Sequence, residues 1–114
     1  MNIESFREYC LNLRGSTEDF PFDDQTLAFR VGGKIYALAD VEHFEFVNLK
    51  CDPEQAILLR EEFDAVKPGY HMNKKHWNSV FIDGSLPDSK MEELIRHSYE
   101  MVLKSLPLKQ RNTI

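Results

Sequence analysis

The chain is short of the residues that announce a chemistry. Its 114 residues hold only two cysteines, Cys10 and Cys51, too few and too far apart for a disulfide framework. Its five glycines build no Gly-rich phosphate loop, and its single tryptophan is Trp77. No apolar run approaches the roughly 20 residues that span a bilayer. The start, Met1-Asn2-Ile3-Glu4, lacks the basic opening and apolar core of a secretory signal. Together these absences predict one reduced, cytoplasmic domain over residues 1–114, without membrane contact and without a cofactor.

Catalytic patterns are equally sparse. There is no GxSxG elbow. His71 and His76 are five apart, which does not set them on one helical face, and no cysteine or carboxylate motif completes a metal set. Cys10 lies in an apolar helical stripe and Cys51 ends a buried strand, so both read as packed thiols rather than nucleophiles. Asp23-Asp24 and Glu61-Glu62 read as turn and solvated-helix residues. The chain is read as non-enzymatic, with no metal site. An enzyme for a small anionic substrate, using His71 or His76 with the lysines, is the third-ranked alternative.

What the chain does have is an uneven charge. The net charge is −5, yet residues 1–65 hold six Lys and Arg against fourteen Asp and Glu, while residues 66–114 hold eight against five. The sign argues against indiscriminate binding to polyanions and leaves room for a local basic patch on an acidic body. From Lys67 to Ile82 there is no acidic residue. That stretch carries Lys67, Lys74, Lys75, His71, His76 and Trp77, with Asn73 and Asn78 as donors and acceptors. Lysines neutralise phosphates and an aromatic plane stacks on a base. The plainer alternative is a solvated turn with Trp77 in the core.

The periodicities outline the scaffold. Ile3, Phe6, Cys10 and Leu13 predict a helix over about residues 2–14, ended by Gly15. Ser16 to Phe22 is an edge strand or connector, because Pro21 cannot donate to a ladder. Leu27, Phe29 and Val31 alternate into Gly32-Gly33, a two-residue hairpin turn. The expected register sets Val31 against Lys34, Phe29 against Tyr36, and Leu27 against Leu38. Phe44 to Cys51 is the next strand, and Phe44 and Phe46 are expected on an open apolar face. Asp52-Pro53 starts a helix with Ala56, Leu59 and Phe63 inward. Tyr70–Met72 and Trp77–Ile82 are expected to pair as a short hairpin. Pro87-Asp88 opens the last helix, and the tail after Pro107 is expected to fray. The sum is an α+β two-layer design: helix, antiparallel meander, helix, hairpin, helix, with helices on one sheet face.

Several stretches resemble the MmcQ/YjbR family of small bacterial proteins. They are Asn48-Leu49-Lys50-Cys51-Asp52-Pro53 and Pro68 through Trp77, with Thr17 to Phe22, Val31-Gly32-Gly33-Lys34 and Asp83 to Pro87 in support. The resemblance runs over nearly the whole chain in order. It implies a fold similar to CyaY-like proteins and secretion chaperones, and a "double wing" arrangement for binding DNA. Carried onto this sequence, the motif positions are Lys50, His71, Asn73, Lys74, Lys75, His76 and Trp77. Hairpin geometry adds Lys34 as the tip of the second wing. The expected partner is double-stranded DNA. The runner-up is a protein-interaction or chaperone-like module that uses an apolar sheet face to meet a protein partner or form a homodimer.

Overall fold

The computed structural model describes all of residues 1–114. In chain order the elements are α1 (Ile3–Asn12), β1 (Ser16–Asp19), β2 (Thr26–Val31), β3 (Lys34–Asp40), β4 (Phe46–Lys50), α2 (Pro53–Glu62), β5 (Val66–Pro68), β6 (Trp77–Phe81), α3 (Asp88–Ser105) and α4 (Leu108–Arg111). The strands make one antiparallel sheet in the order β1-β2-β3-β4-β6-β5. Helices α1 and α3 cover one face and leave the other bare, the two-layer α+β design that the periodicities predict. No helix is long and apolar enough to cross a membrane.

Local chemistry explains the helix starts. Asn2 accepts the Ser5 amide while the Ser5 hydroxyl accepts the Asn2 amide, a reciprocal cap for α1. Asp52 accepts the Gln55 amide and Pro53 occupies the first turn of α2, where its missing N–H costs nothing.

The β2–β3 register departs from expectation. Gly32 and Gly33 take positive φ values of 59° and 81° and set Val31 opposite Lys34 and Arg30 opposite Ile35. Then the pairing slips: Phe29 meets Ala37, Ala28 meets Leu38, and Leu27 meets Ala39. Tyr36 is the extra residue of a β-bulge, without a partner on β2. So Phe29 does not face Tyr36, and Leu27 does not face Leu38. The bulge turns both Tyr36 and Ala37 toward the helices, where they join Phe6, Phe29, Val47, Leu49 and Ile95 in the core. Leu38 goes to the bare face instead.

A bulged residue frees a backbone group that the ladder would otherwise satisfy. Here the Ser98 hydroxyl of α3 donates to the Tyr36 carbonyl at 2.5 Å. The same oxygen accepts the Lys50 amide at 2.8 Å. One buried hydroxyl thus bridges β3 and β4 beyond their last pair, Ala37 with Leu49. The Tyr36 phenol reaches the Ser16 hydroxyl at 2.6 Å and donates to the Cys10 carbonyl at 3.2 Å, and its ring meets Tyr99 edge-on at 5.5 Å.

Three further expectations change. Tyr70–Met72 is not a strand. The partner of β6 is the earlier Val66–Pro68, an outermost strand, where Pro68 is tolerated because only one side of the strand is paired. The tail does not fray: α4 folds back, Gln110 donates to the Gly32 carbonyl at 3.1 Å, and Ile114 packs beside Gly15. Phe44 does not lie on the bare face. A left-handed turn, φ 46°, aims it at Phe6, 5.6 Å away on the helix side.

Ser98→Ala should therefore cost about 2 kcal/mol, since it orphans a buried N–H and a buried carbonyl together. Urea unfolding measures it. A loss within experimental error would show that the bulge does not need this bridge.

Candidate functional site

The registers decide which loops share an end of the sheet. Val31, at the tip of β2, is level with Ser16 on one side and Lys34 on the other. Lys50 is level with Trp77 at the start of β6, and Pro68 with Asn78. The hairpin tip, the β4–α2 junction and the Gly69–His76 loop therefore emerge together. Helix α3 ends there as well, with Leu106 against Gly32.

This hairpin end gathers cations from distant parts of the chain. Lys34, Lys50, Lys74 and Lys75 come from the three loops. Arg14 joins from the α1–β1 turn, and Lys104, Lys109 and Arg111 from the C-terminal segment. At the opposite end lie Asp23, Asp24, Asp40, Glu42, Glu45 and Asp83, and segments 20–25, 40–45 and 82–85 contain no Lys or Arg. The N-termini of α1 and α3 meet at that end, where the Met1 ammonium pairs with Asp88 at 3.1 Å. Both helices thus run from the acidic end to the cationic end, Glu4 and Asp88 in their first turns and Lys104 in the last turn of α3. Side-chain charge and helix dipoles are arranged in the favourable sense.

The residues singled out from the sequence divide into groups. Lys50 and Trp77 are cross-strand neighbours on the bare face, an ammonium beside an indole. Asn73 organises the loop: its side-chain oxygen accepts the Lys75 amide at 2.9 Å and the His76 amide at 3.3 Å, and its carbonyl accepts the Trp77 amide at 3.0 Å. The Lys74 ammonium donates to the Gly69 carbonyl at 2.8 Å and so closes the loop it sits on. The Lys75 side chain is exposed, and its ammonium makes no hydrogen bond or ion pair within the chain. The His76 carbonyl accepts the Cys51 amide at 2.8 Å and ties the loop to the start of α2. His71 has φ 59°, uncommon for a residue with a Cβ, and its ring lies 4.2 Å from that of Tyr70. Lys34 shares the end but not the face, because its partner Val31 belongs to the helix-covered side.

Four residues that sequence reasoning passed over hold this surface in place. Arg60 of α2 donates from Nε to the Asn78 side chain at 2.7 Å and from Nη2 to both the Lys74 and Trp77 carbonyls. It clamps the lysine loop from behind. Asn48 and Ser79, opposite each other on the bare face, hydrogen-bond to one another and take up both backbone groups of Tyr70. His97 accepts the Asp52 amide on Nε2 at 3.2 Å. The only sequence signal was that Asn48 and Ser79 are polar inside strands that otherwise read as apolar.

The Asn48–Ser79 pair lifts Tyr70 to Met72 over the bare face and makes one wall of a groove of about 550 Å³. Phe22, Ile35, Leu38, Phe46, Tyr70 and Met72 line it, with Thr26, Asp40, Asn48 and His71 among its polar groups. Phe46 is edge-on to Tyr70 at 5.8 Å. No three His, Cys, Asp or Glu side chains come close enough to hold a metal ion. Both thiols are buried, and burial pushes Cys10 up to about 12 and Cys51 up to about 11, so neither is a thiolate at neutral pH.

At the acidic end three carboxylates sit below their ordinary range. The amides of Thr26 and Gln25 hold Asp23 down, and the hydroxyl and amide of Ser85 hold Asp83 down. For Asp40, burial pushes upward, and the amides of His43 and Glu42 with the Gln25 side chain outweigh it.

The family model that matches the chain is YjbR, over residues 11–101. The chain is 35% identical to the protein YjbR of Escherichia coli K12 over 115 residues, covering 100% of this chain and 98% of that one. It is 34% identical to YbdF of Escherichia coli O157:H7 over 96 residues, covering 83% and 79%. Among solved structures, Deinococcus radiodurans DR2400, a DUF419 domain, superposes with a TM-score of 0.92 at 39% identity, covering 98% of this chain and 86% of that one. A Pseudomonas syringae protein superposes at 0.75 with 27% identity, covering 90% and 99%.

Removing the clamp should loosen the loop selectively. In Arg60→Ala, the amides of His76 and Trp77 should exchange at least about tenfold faster while those of β2 and β3 stay unchanged. Amide exchange by NMR reads this directly. The acidic end predicts a pH dependence. A carboxylate whose folded pKa lies below its unfolded value of about 4 stabilises the fold above that pH and ceases to as pH falls through the folded value. Stability should therefore decline below about pH 4, and Asp40→Asn should flatten the decline in denaturant titrations at stepped pH.

Proposed function

The chain belongs to the YjbR family, and from that premise we propose that it is a non-enzymatic protein that binds double-stranded DNA through the cationic end of its sheet. One observation carries the reading: the strand registers and the fold-back of the C-terminal segment bring lysines and arginines from five separate stretches to one end of an otherwise acidic molecule. Nucleic-acid backbones reward such clustering, because each neutralised phosphate releases condensed counterions. The two projecting features at that end are the Gly32-Gly33 hairpin with Lys34 and the Asn73–His76 loop with Lys74 and Lys75. They stand on either side of the β4–α2 junction and form the two wings of the proposed arrangement.

Roles follow from the contacts. Lys75 and Lys34 are free to meet phosphates. Lys74 and Asn73 shape the loop as well as contributing to it. Trp77 offers an aromatic plane beside the Lys50 ammonium, and the adjacent rings of Tyr70 and His71 offer a second, which suits sugar or base edges. His76 lies at the junction where the loop is tied to α2. Phosphate positioning outweighs base reading in this set, since it has no bidentate arginine placed for a guanine edge.

Binding should weaken steeply with salt. Lys74→Ala with Lys75→Ala should flatten the plot of log K against log salt by about 0.9 per lost phosphate contact. Lys90→Ala, a lysine at the opposite end paired with Glu93, should leave the slope unchanged. Trp77 is the only tryptophan, so its fluorescence reports the site and should quench on addition of duplex. A titration at low salt in which no duplex binds would remove the proposal.

A further inference from the structure

Where β4 gives way to α2, successive backbone amides are held by separate groups. Lys50 donates to the Ser98 hydroxyl at 2.8 Å, Cys51 to the His76 carbonyl at 2.8 Å, and Asp52 to Nε2 of His97 at 3.2 Å. Helix α3 thus holds the junction on both sides of Cys51, and the Cys51 amide holds the lysine loop. Asp52 caps α2, and α2 carries Arg60, which bonds the Lys74 and Trp77 carbonyls of that loop. Of the three acceptors, only the imidazole changes its protonation in the range around neutral pH. We propose that His97 is a proton-sensitive latch: neutral, it holds the start of α2 and through it the lysine loop; protonated, it releases both.

The ring nitrogens give the reason. A neutral imidazole has one nitrogen that accepts, whereas an imidazolium has donors on both. The Asp52 bond therefore exists only while the His97 proton sits on Nδ1. A second proton sets N–H against N–H, and the contact must open. The start of α2 adds to the repulsion, because a helix N-terminus carries partial positive charge.

The charged ring has somewhere to turn. His97 is half-buried and lines a groove of about 370 Å³ between α2 and α3. Glu93 and Glu100 lie four residues before it and three after it, on its own face of α3 and in the same groove. Glu93 also meets Lys90 at 3.2 Å, and Glu100 is exposed. The other charges around the ring are Lys50, Lys90 and Arg96, with Arg60 beyond Cys51. Arg96 donates to the Tyr9 hydroxyl at 2.6 Å, and the Asp52 carboxylate is committed to the Gln55 amide. The Cys51 thiol is neutral, and Gln55 of α2 and Asn78 of β6 bring no charge. Two carboxylates thus draw the imidazolium into the groove, while Lys50 and the helix end push it off the amide. With the Asp52 amide released, α2 loses its hydrogen bond to α3, and Arg60 clamps the loop less firmly.

Amide exchange by NMR at about pH 7.5 and about pH 5.5 tests this, on either side of the ordinary imidazole range. Rates are compared as protection factors, so that the intrinsic effect of pH drops out. No nucleic acid is needed, and the outcome is separate from the DNA reading. Protection of Asp52, His76 and Trp77 should fall at least about tenfold on acidification, while that of β2 and β3 holds. His97→Gln does not titrate and should show no difference between the two pH values. His97→Ala, with neither acceptor nor charge, should leave these amides poorly protected at both. His71→Asn with His76→Gln removes the histidines of the loop itself and should keep the response. Circular dichroism checks that each variant is folded. The proposal is overturned if protection in the parent does not depend on pH, or if His97→Gln still responds. It is overturned equally by His97→Ala protected like the parent at the higher pH, or by a response lost when only the loop histidines are replaced.

Discussion

One extra residue in β3 sets the plan of the molecule. Without the bulge at Tyr36, alternation would send Ile35, Ala37 and Ala39 to one face and Tyr36 and Leu38 to the other. The bulge places Tyr36 and Ala37 on the same side and delivers the largest fully buried side chain of the core to the helices. It also leaves the Tyr36 carbonyl without a ladder partner, and a buried orphan carbonyl would cost about 1–3 kcal/mol. Ser98 answers that need from α3. The position of α3 across β3 and β4 is thus fixed by a polar requirement as well as by apolar packing. Leu38, left on the far side, becomes part of the groove floor.

The same principle governs the loop that carries Lys74 and Lys75. An eight-residue excursion between β5 and β6 would ordinarily be mobile. Here Asn73 turns it, Lys74 closes it, Arg60 holds it from α2, and Asn48 with Ser79 pins Tyr70 to the sheet. Those groups spend their hydrogen-bonding capacity inside the chain. Lys75 and the edge of Trp77 are left as the groups that can act outward. A surface held this way loses little conformational entropy when it meets a partner.

The helices, the hairpin glycines and the alternating strands could be read from the sequence because each rests on a local period or a local turn rule. Asp52-Pro53 told the start of α2 for the same reason. The slip at Tyr36 could not be read, since a bulge is a choice among pairings that differ by one residue, and the choice is made by Ser98, 62 residues away. Phe44 was misplaced because alternation was extended through a residue with positive φ. The lysine loop was legible as a cluster, but its division into anchoring and outward groups was not, because Arg60 and Asn48 reach it only in three dimensions. Arg14, Lys104, Lys109 and Arg111 escaped notice for a related reason: nothing local says that α3 ends beside Gly32.

An acidic protein with a cationic end raises a physical question, since a net charge of −5 should repel a polyanion. Distance and salt resolve it. Helix α3, 18 residues long, sets the two ends about 27 Å apart at 1.5 Å per residue. At physiological ionic strength the screening length is about 8 Å, so a phosphate at the hairpin end feels the nearby lysines and little of the carboxylates at the far end. The net charge then governs solubility and long-range approach, while the local sign governs contact. Separation of charge along the strands serves the fold too, because the N-termini of α1 and α3 lie among the carboxylates and the end of α3 among the lysines. A single arrangement thus lowers the electrostatic energy of the helices and creates two oppositely charged ends.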